Sequence, residues 1–355
     1  MLFVGIIAVM GSLAIVRTRD FHAPEHPEVV NGKLARAFEN HYDQMFPVRE
    51  LGINTWAALD YLALGEGRPG VVIGKRGWLF TDEEFNLAED FDANTRTHLA
   101  MVRSVQQQLG KAGVALVVAL VPSKAQVYAQ FVASREPAAA QRRLYGRLLA
   151  DLASSGIMTV DLRRTLTQGS ARQLTYFRTD THWTPFGARL AASSVVQVIR
   201  DAGLLHAHGP MFVTHIGAPQ PHRGDLVAFL PLEPYFAALL PQPETISQAT
   251  TRAETGEHAG RAPAQTDLFG DSDLPDVALV GTSYSANPLW NFPGYLREGL
   301  GEDIADYSRE GLGPFRPMVD YLRSADFISK QPRLVIWEIP ERAFVAHPAA
   351  ADAAH

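Results

Sequence analysis

The chain has 355 residues, 46% of them hydrophobic and 20% charged, the make-up of an ordinary folded globular protein with room for one large domain or two. A net charge of −6 with no recurring Lys/Arg block argues against a surface built to neutralise a nucleic-acid backbone, so no nucleic-acid partner is expected. The absence of cysteine excludes disulfides, thiolate zinc sites and a Cys nucleophile, and leaves the redox compartment open.

The run from Leu2 to Val16 is uncharged and closes at Arg17 and Arg19. It falls short of the roughly 20 residues of a spanning helix but matches a signal-type apolar region of about 7–15 residues. No basic stretch precedes it and no small-x-small cleavage site follows, so it reads either as a targeting segment whose basic start lies ahead of Met1 or as a buried helix. The sharp stop at Arg17-Thr18-Arg19-Asp20 favours a signal-anchor over residues 1–19, with the rest exported to the periplasm. Arg17 and Arg19 lie on the flank that the positive-inside rule disfavours, unless further basic residues outweigh them.

Residues 20–69 read as a linker with Pro24 and Pro27, then a helical stretch from Asn31 to Trp56 interrupted at Pro47. Gly70 to Phe80 predicts a hairpin around Gly74-Lys75-Arg76-Gly77. A helix is expected over Asn94–Lys111, with Leu99, Val102, Val105 and Leu109 on one face. Val114 to Val121 is an unbroken apolar run, as in a strand buried on both faces of a parallel sheet. Further helices are expected at Gln141–Ser154 and Phe186–Ala202, and further strands at Ile157–Val160, Val277–Val280 and Arg333–Ile339. This alternation predicts an α/β doubly wound parallel sheet with helices on both faces, spanning residues 70–345. Gln242 to Asp273 is polar and reads as a surface insertion, and residues 346–355 as a flexible tail.

Two places carry candidate chemistry. Gly281-Thr282-Ser283-Tyr284-Ser285 follows a strand, where open α/β sheets bind ligands, and a hydroxyl at such a turn is exposed beside backbone N–H groups. Ser283 or Ser285 could be the nucleophile, Ser283 being nearer the strand end; taken alone, the segment reads first as a polar turn. Asp180-Thr181-His182-Trp183 precedes Thr184 and Pro185, a cap and first residue for the following helix. One ring nitrogen of His182 can be held by Asp180 while the other takes a hydroxyl proton. In isolation, the bland alternative is a structural histidine beside a capping aspartate.

His215, His222 and Asp225 could be drawn with His182 as a metal site. No cysteine and no His-Glu-x-x-His motif supports it, and neither metal nor cofactor is expected. Trp78, Trp183, Trp290 and Trp337 are core candidates, although Trp183 and Trp290 flank the proposed site and could stack on a sugar ring.

Together, Arg178 to Ala188 and Val280 to Ser285 resemble the SGNH-hydrolase-like domain of the AlgJ/AlgX family of alginate O-acetyltransferases. Val72–Phe80, His222-Arg223-Gly224-Asp225-Leu226 and Trp337–Arg342 echo that family in the same order. The resemblance implies a catalytic Asp180 and His182 upstream of a nucleophilic Ser283, a permuted order relative to ordinary SGNH enzymes, and an acetyl-serine intermediate. Oxyanion or substrate contacts are expected from the Ser283 N–H and from Tyr284, Asn287, Arg316, Trp183 and Trp290. With an N-terminal anchor and no carbohydrate-binding module before His355, the chain is expected to lie nearer the AlgJ branch. The implied partners are a membrane-bound O-acyltransferase that donates acetyl, a polysaccharide, and other exopolysaccharide acetylation proteins. The alternatives are an acetylesterase using the same triad and a non-catalytic scaffold of the acetylation complex.

Overall fold

The computed structural model describes residues 2–23, 31–46, 48–86, 88–133, 135–205, 211–254 and 274–347. They fall into two compact units, residues 1–69 with 228–241 and residues 70–227 with 242–355. The first unit holds helices α1 (Leu2–Arg17), α2 (Lys33–Met45) and α3 (Arg49–Leu59), so the helical stretch expected from Asn31 to Trp56 divides into two helices on either side of the expected interruption. Among the described residues no helix is long and apolar enough to cross a membrane. Within this unit the buried Asn54 amide donates to the Pro231 carbonyl at 2.8 Å, tying α3 to the 228–241 segment.

The second unit opens with the expected hairpin, β1 (Val71–Ile73) antiparallel to β2 (Leu79–Thr81). Its turn places Arg76 and Gly77 in the left-handed region, at φ 56° and 75°, where only the glycine is at ease. There follow α4 (Phe91–Lys111), β3 (Ala115–Val121), α5 (Lys124–Val127), α6 (Ala139–Ser154), β4 (Met158–Asp161), α7 (Leu162–Gly169) and α8 (Pro185–Asp201). Beyond them come β5 (Phe212–His222), β6 (Glu244–Ala253), β7 (Val277–Val280), α9 (Ser283–Ala286) and α10 (Phe292–Leu300). The chain then forms β8 (Ile304–Asp306), α11 (Phe315–Leu322) and β9 (Leu334–Pro340).

Five strands form one parallel sheet in the order β4-β3-β9-β7-β8. Alternate residues of its strands feed two cores. Val117, Ala119, Leu279 and Ile336 pack with α7, α8 and α10, while Val118, Leu120, Val280 and Trp337 pack with α4, α6 and α11. A strand that meets a core on both sides has no polar face, which is why the Val-rich runs are continuous rather than alternating. The α/β doubly wound fold expected from the sequence is therefore the one observed.

The segment expected to be a surface insertion is partly different. Its residues 244–253 form β6, paired antiparallel with β5 in a two-stranded ribbon, and residues 255–273 lie outside those described. Most β5 residues are exposed, so the ribbon lacks the apolar alternation by which a half-buried strand is recognised.

Topology places the site. β3 leads outward to β4 and β7 leads outward to β8, while β9, last in the chain, fills the centre. The carboxyl ends of β3, β9 and β7 thus lie side by side where the winding reverses, the position at which doubly wound sheets hold ligands.

Candidate active site

At the end of β7 the chain turns through Gly281 and Thr282 into α9. A Cβ at Gly281 would stand 2.6 Å from Glu338 Oε2 and 2.9 Å from Ser285 Oγ, so no side chain fits there. Thr282 caps α9, accepting the Tyr284 N–H at 3.3 Å on its hydroxyl. Glu338, fully buried on β9, anchors the turn: it accepts the Thr282 N–H at 2.7 Å, the Thr282 hydroxyl at 2.9 Å and the Ser285 hydroxyl at 3.2 Å. Burial pushes the Glu338 carboxyl up to about 7, against the pull of those hydrogen bonds.

The Asp180–His182 segment has no secondary structure beyond one bridge between Tyr176 and Trp183, so other groups must satisfy its backbone. Lys124, buried just past β3, donates its ammonium to the carbonyls of Arg178 at 3.1 Å and Asp180 at 2.8 Å. Burial lowers the Lys124 amine to about 8, resisted by the nearby charges of Glu84 and Asp180. Glu244, on β6, accepts the N–H groups of Arg178 at 2.8 Å and Thr179 at 2.9 Å. Thr184 then caps α8, accepting the Gly187 N–H at 3.1 Å with Pro185 in the first turn, as the sequence predicts.

These two pieces bring together the three residues expected to act as a set. His182 Nδ1 lies 2.7 Å from Asp180 Oδ1, and His182 Nε2 lies 2.7 Å from Ser283 Oγ. An ionised carboxylate can only accept, so Nδ1 carries the proton and Nε2 offers its lone pair to the Ser283 hydroxyl. Burial alone would raise the Asp180 carboxyl. Hydrogen bonds from His182 and His222 and the charge of His182 outweigh it and hold the group well below the usual carboxylate range. The second oxygen of Asp180 takes His222 Nε2 at 3.0 Å and the Asp225 N–H at 3.2 Å, a fork that the sequence reading missed.

The remaining site expectations divide. Ser285 is buried and donates to Glu338, facing away from His182, so it is not placed to be the rival nucleophile. Trp183 and Trp290 are 0% and 1% exposed and cannot stack on a polymer. Instead, the Trp290 indole lies against the His182 ring at 5.3 Å and donates to the Ser283 carbonyl at 3.2 Å. The Trp183 indole donates to the Tyr284 carbonyl at 3.1 Å, and the Tyr284 hydroxyl donates to the Thr181 carbonyl at 2.9 Å. Tyr284 is therefore a buried tie, further held by the Arg342 guanidinium at 3.1 Å from its hydroxyl, rather than a substrate contact. Asn287 accepts the Leu289 N–H within its own turn, and Arg316 pairs with Asp320 at 2.8 Å on the outer face of α11. The Ser283 N–H, at the first position of α9, has no acceptor among the described residues.

Donor atoms of Asp180, His182 and Asp225 lie within 4.8 Å of one another, the one cluster of metal-ligand types found among the described residues. His182 Nδ1 lies 2.7 Å from Asp180 Oδ1 and 3.7 Å from Asp225 Oδ2, so the imidazole is already engaged with the carboxylate that orients it. His215 lies exposed on β5 opposite Thr250, outside this cluster. Thr282 and Ser283 line a cavity of about 480 Å³ together with Glu83, Asn86 and Arg342, large enough for a small acyl donor or a sugar unit.

Lys124, Glu84 and Glu244 did not emerge from the sequence as site residues, and Glu338 and Arg342 entered only as part of the Trp337–Arg342 echo, with no role assigned. The signal available for Lys124 was its place directly after an apolar strand, and for Glu338 a lone charge inside one.

The family model of the SGNH hydrolase-like domain of the acetyltransferase AlgX matches residues 71–341. The chain is 45% identical over 341 residues to a probable alginate O-acetylase AlgJ of Pseudomonas aeruginosa, covering 96% of this chain and 87% of that one. It is 43% identical over 340 residues to its counterpart in Azotobacter vinelandii, covering 96% and 86%. Among solved structures, the O-acetyltransferase domain of Pseudomonas putida AlgJ superposes with a TM-score of 0.72 at 38% identity, covering 80% of this chain and 95% of that one.

Proposed function

This chain belongs to the SGNH hydrolase-like acetyltransferase family of AlgX and AlgJ and is a polysaccharide O-acetyltransferase, and we propose that Ser283, His182 and Asp180 carry its chemistry with alginate as acceptor. The observation that supports this reading best is the continuous pair of 2.7 Å contacts from Asp180 through His182 to Ser283 Oγ.

Ser283 Oγ attacks the carbonyl carbon of the acetyl donor as His182 Nε2 removes its proton. Asp180 stabilises the resulting imidazolium, and its depressed proton affinity keeps it ionised throughout. The Ser283 N–H is the donor left for the oxyanion, at a helix start where partial positive charge gathers. Collapse of the tetrahedral intermediate expels the donor's leaving group, which takes the proton from His182, and leaves acetyl-Ser283. A sugar hydroxyl then loses its proton to His182 and attacks the acetyl carbonyl; Ser283 departs as alkoxide and recovers the proton. Each step needs one proton carrier within hydrogen-bond reach of Ser283 Oγ, a condition that His182 meets.

The donor is a membrane-bound O-acyltransferase that passes acetyl groups outward, and the chain works in the periplasm, attached to the inner membrane through apolar α1. Other exopolysaccharide acetylation proteins are its pathway partners.

The test is incubation with p-nitrophenyl acetate and oligomannuronate, followed by mass spectrometry of both protein and sugar. Wild-type protein should show an acetyl adduct on the Ser283 peptide and acetylated oligomer. Undiminished transfer by Ser283→Ala sinks the assignment.

A further inference from the structure

The first unit shows solvent an apolar surface. On α3 the buried Asn54 and Ala58 turn inward, and Asn54 ties the helix to the Pro231 carbonyl. The rest of the helix and the π-turn Asp60–Leu64 that continues it carry Trp56, Leu59, Leu62 and Leu64, which are 67%, 54%, 66% and 66% exposed. Between Leu51 and Leu64 the one charged residue is Asp60, and it is half-buried. A helix that offers water its leucines and a tryptophan while turning an asparagine inward reverses the usual pattern, and such a face marks a contact surface.

The same surface runs on from α1. Val4, Val9, Leu13, Ile15 and Val16 are exposed along α1, which lies against α2 where a Cβ at Gly11 would stand 3.3 Å from the Tyr42 hydroxyl. From the end of α1 a row of rings leads along α2 towards the start of α3: Phe21 to Phe38 at 5.3 Å, Phe38 to Tyr42 at 6.4 Å and Tyr42 to Phe46 at 6.3 Å. Beside Trp56 lies a hollow of about 490 Å³ with Ile53 and Leu232 on its walls, together with the charged side chains of Asp60, Glu66 and Arg68. Both signs of charge beside an apolar lining match the phosphate and ammonium of a zwitterionic headgroup above its acyl chains. An exposed tryptophan is the side chain that favours that depth of a bilayer.

We propose that α3 and the π-turn after it lie in the headgroup layer of a phospholipid bilayer, as a second membrane contact beside α1. The proposal rests on the reading above that α1 attaches the chain to the inner membrane, and it adds where the membrane contact ends. The 11 residues of α3 and the 5 of the π-turn suit a helix lying in the interface rather than one crossing about 30 Å of hydrocarbon. Membrane contact then reaches along the chain almost to Gly70, where the second unit begins, instead of stopping at the end of α1. A shorter tether raises the effective concentration of the catalytic unit at a membrane-bound acetyl donor.

The test uses the full-length chain reconstituted into vesicles of phosphatidylethanolamine and phosphatidylglycerol. Of the five tryptophans, Trp78, Trp183, Trp290 and Trp337 are buried, so lipid brominated high on its acyl chains should quench Trp56 selectively. Expected results are bromine quenching that disappears in Trp56→Phe, protection of Trp56 from aqueous iodide, and about a tenfold fall in bromine quenching in the Leu59→Asp, Leu62→Asp double variant. All three positions are exposed and lie outside the catalytic groups, so hydrolysis of p-nitrophenyl acetate and the melting temperature should stay as in wild type. Co-flotation with the vesicles reads the anchor separately. Flotation with Trp56 open to iodide and untouched by bromine overturns the α3 contact and leaves the anchor standing. Protection from iodide without bromine quenching means that a second copy of the chain covers the face, which overturns lipid as its occupant. If a Val9→Asp, Leu13→Asp variant floats and is quenched as wild type, α1 is not the anchor and the α3 contact stands. Neither flotation nor quenching overturns both readings.

Discussion

The loop that carries His182 and the turn that carries Ser283 reach the same site by opposite physical routes. The Ser283 turn inherits its position from β7, a strand buried on both faces, and needs one buried carboxylate, Glu338, to tidy its exit. The 178–182 loop belongs to no sheet or helix, and buried ions do the work of a ladder: Lys124 for its carbonyls and Glu244 for its N–H groups. A segment without regular structure can be placed with precision where each buried backbone group meets a dedicated partner. The turn should therefore tolerate loss of its support better than the loop does.

The largest effect should separate the reacting atoms from their neighbours. His182→Ala is expected to lower acetyl transfer by about 10⁴-fold or more, as removal of a triad base does, while Ser285→Ala stays within about tenfold. Equal losses would mean that the turn is read wrongly. Next, Lys124→Met strips the Asp180 carbonyl of its buried donor and should cost about 3 kcal/mol, roughly a 10 °C fall in melting temperature by calorimetry. An unchanged melting point would show that the loop does not depend on its ion.

A smaller effect is expected at the fork beneath the catalytic histidine. His222→Ala removes a charge-assisted hydrogen bond from Asp180 and should lower kcat by about tenfold with KM for a small acetyl donor unchanged. Losing that donor raises the Asp180 carboxyl and leaves more of its negative charge to the imidazole it faces, so the acidic limb of the pH–rate profile moves to higher pH. His222→Gln, which keeps a donor, should recover most of both changes. If His222→Ala shifts only the melting point and leaves the pH profile in place, the fork is structural alone.

The smallest effect belongs to the turn. Because burial raises the Glu338 carboxyl to about 7, the folded state holds its proton more tightly than the unfolded chain does. The stability this gives is complete below the ordinary glutamate range and is lost as pH rises through about 7. Glu338→Gln should therefore melt within a few degrees of wild type at pH 5 and gain on it as pH climbs towards 8. A gap that closes with rising pH would contradict the assigned direction.

The sequence reveals the two halves of this comparison unequally. β3, β7 and β9 are legible because burial on both faces leaves continuous apolar runs, and the cap at Thr184-Pro185 is legible because its chemistry is local. Asp180, His182 and Ser283 are recognisable as a joint pattern, each motif being uninformative alone. What holds them is not legible: Lys124, Glu244 and Glu338 act on partners 56, 65 or 66, and 56 residues away, and nothing in local spacing marks a buried ion. The same holds for Trp183 and Trp290, whose flanking positions suggest a sugar platform until burial shows otherwise.

One exchange of contacts reaches further than its size suggests. Trp183, next to the histidine, gives its indole proton to Tyr284, next to the serine, and Tyr284 returns its phenol proton to Thr181. The two neighbours are thus cross-laced, and a displacement of either segment drags the other along with it. Thermal motion and distant substitutions then act on the pair as a rigid body, leaving the gap between His182 Nε2 and Ser283 Oγ the quantity least exposed to drift.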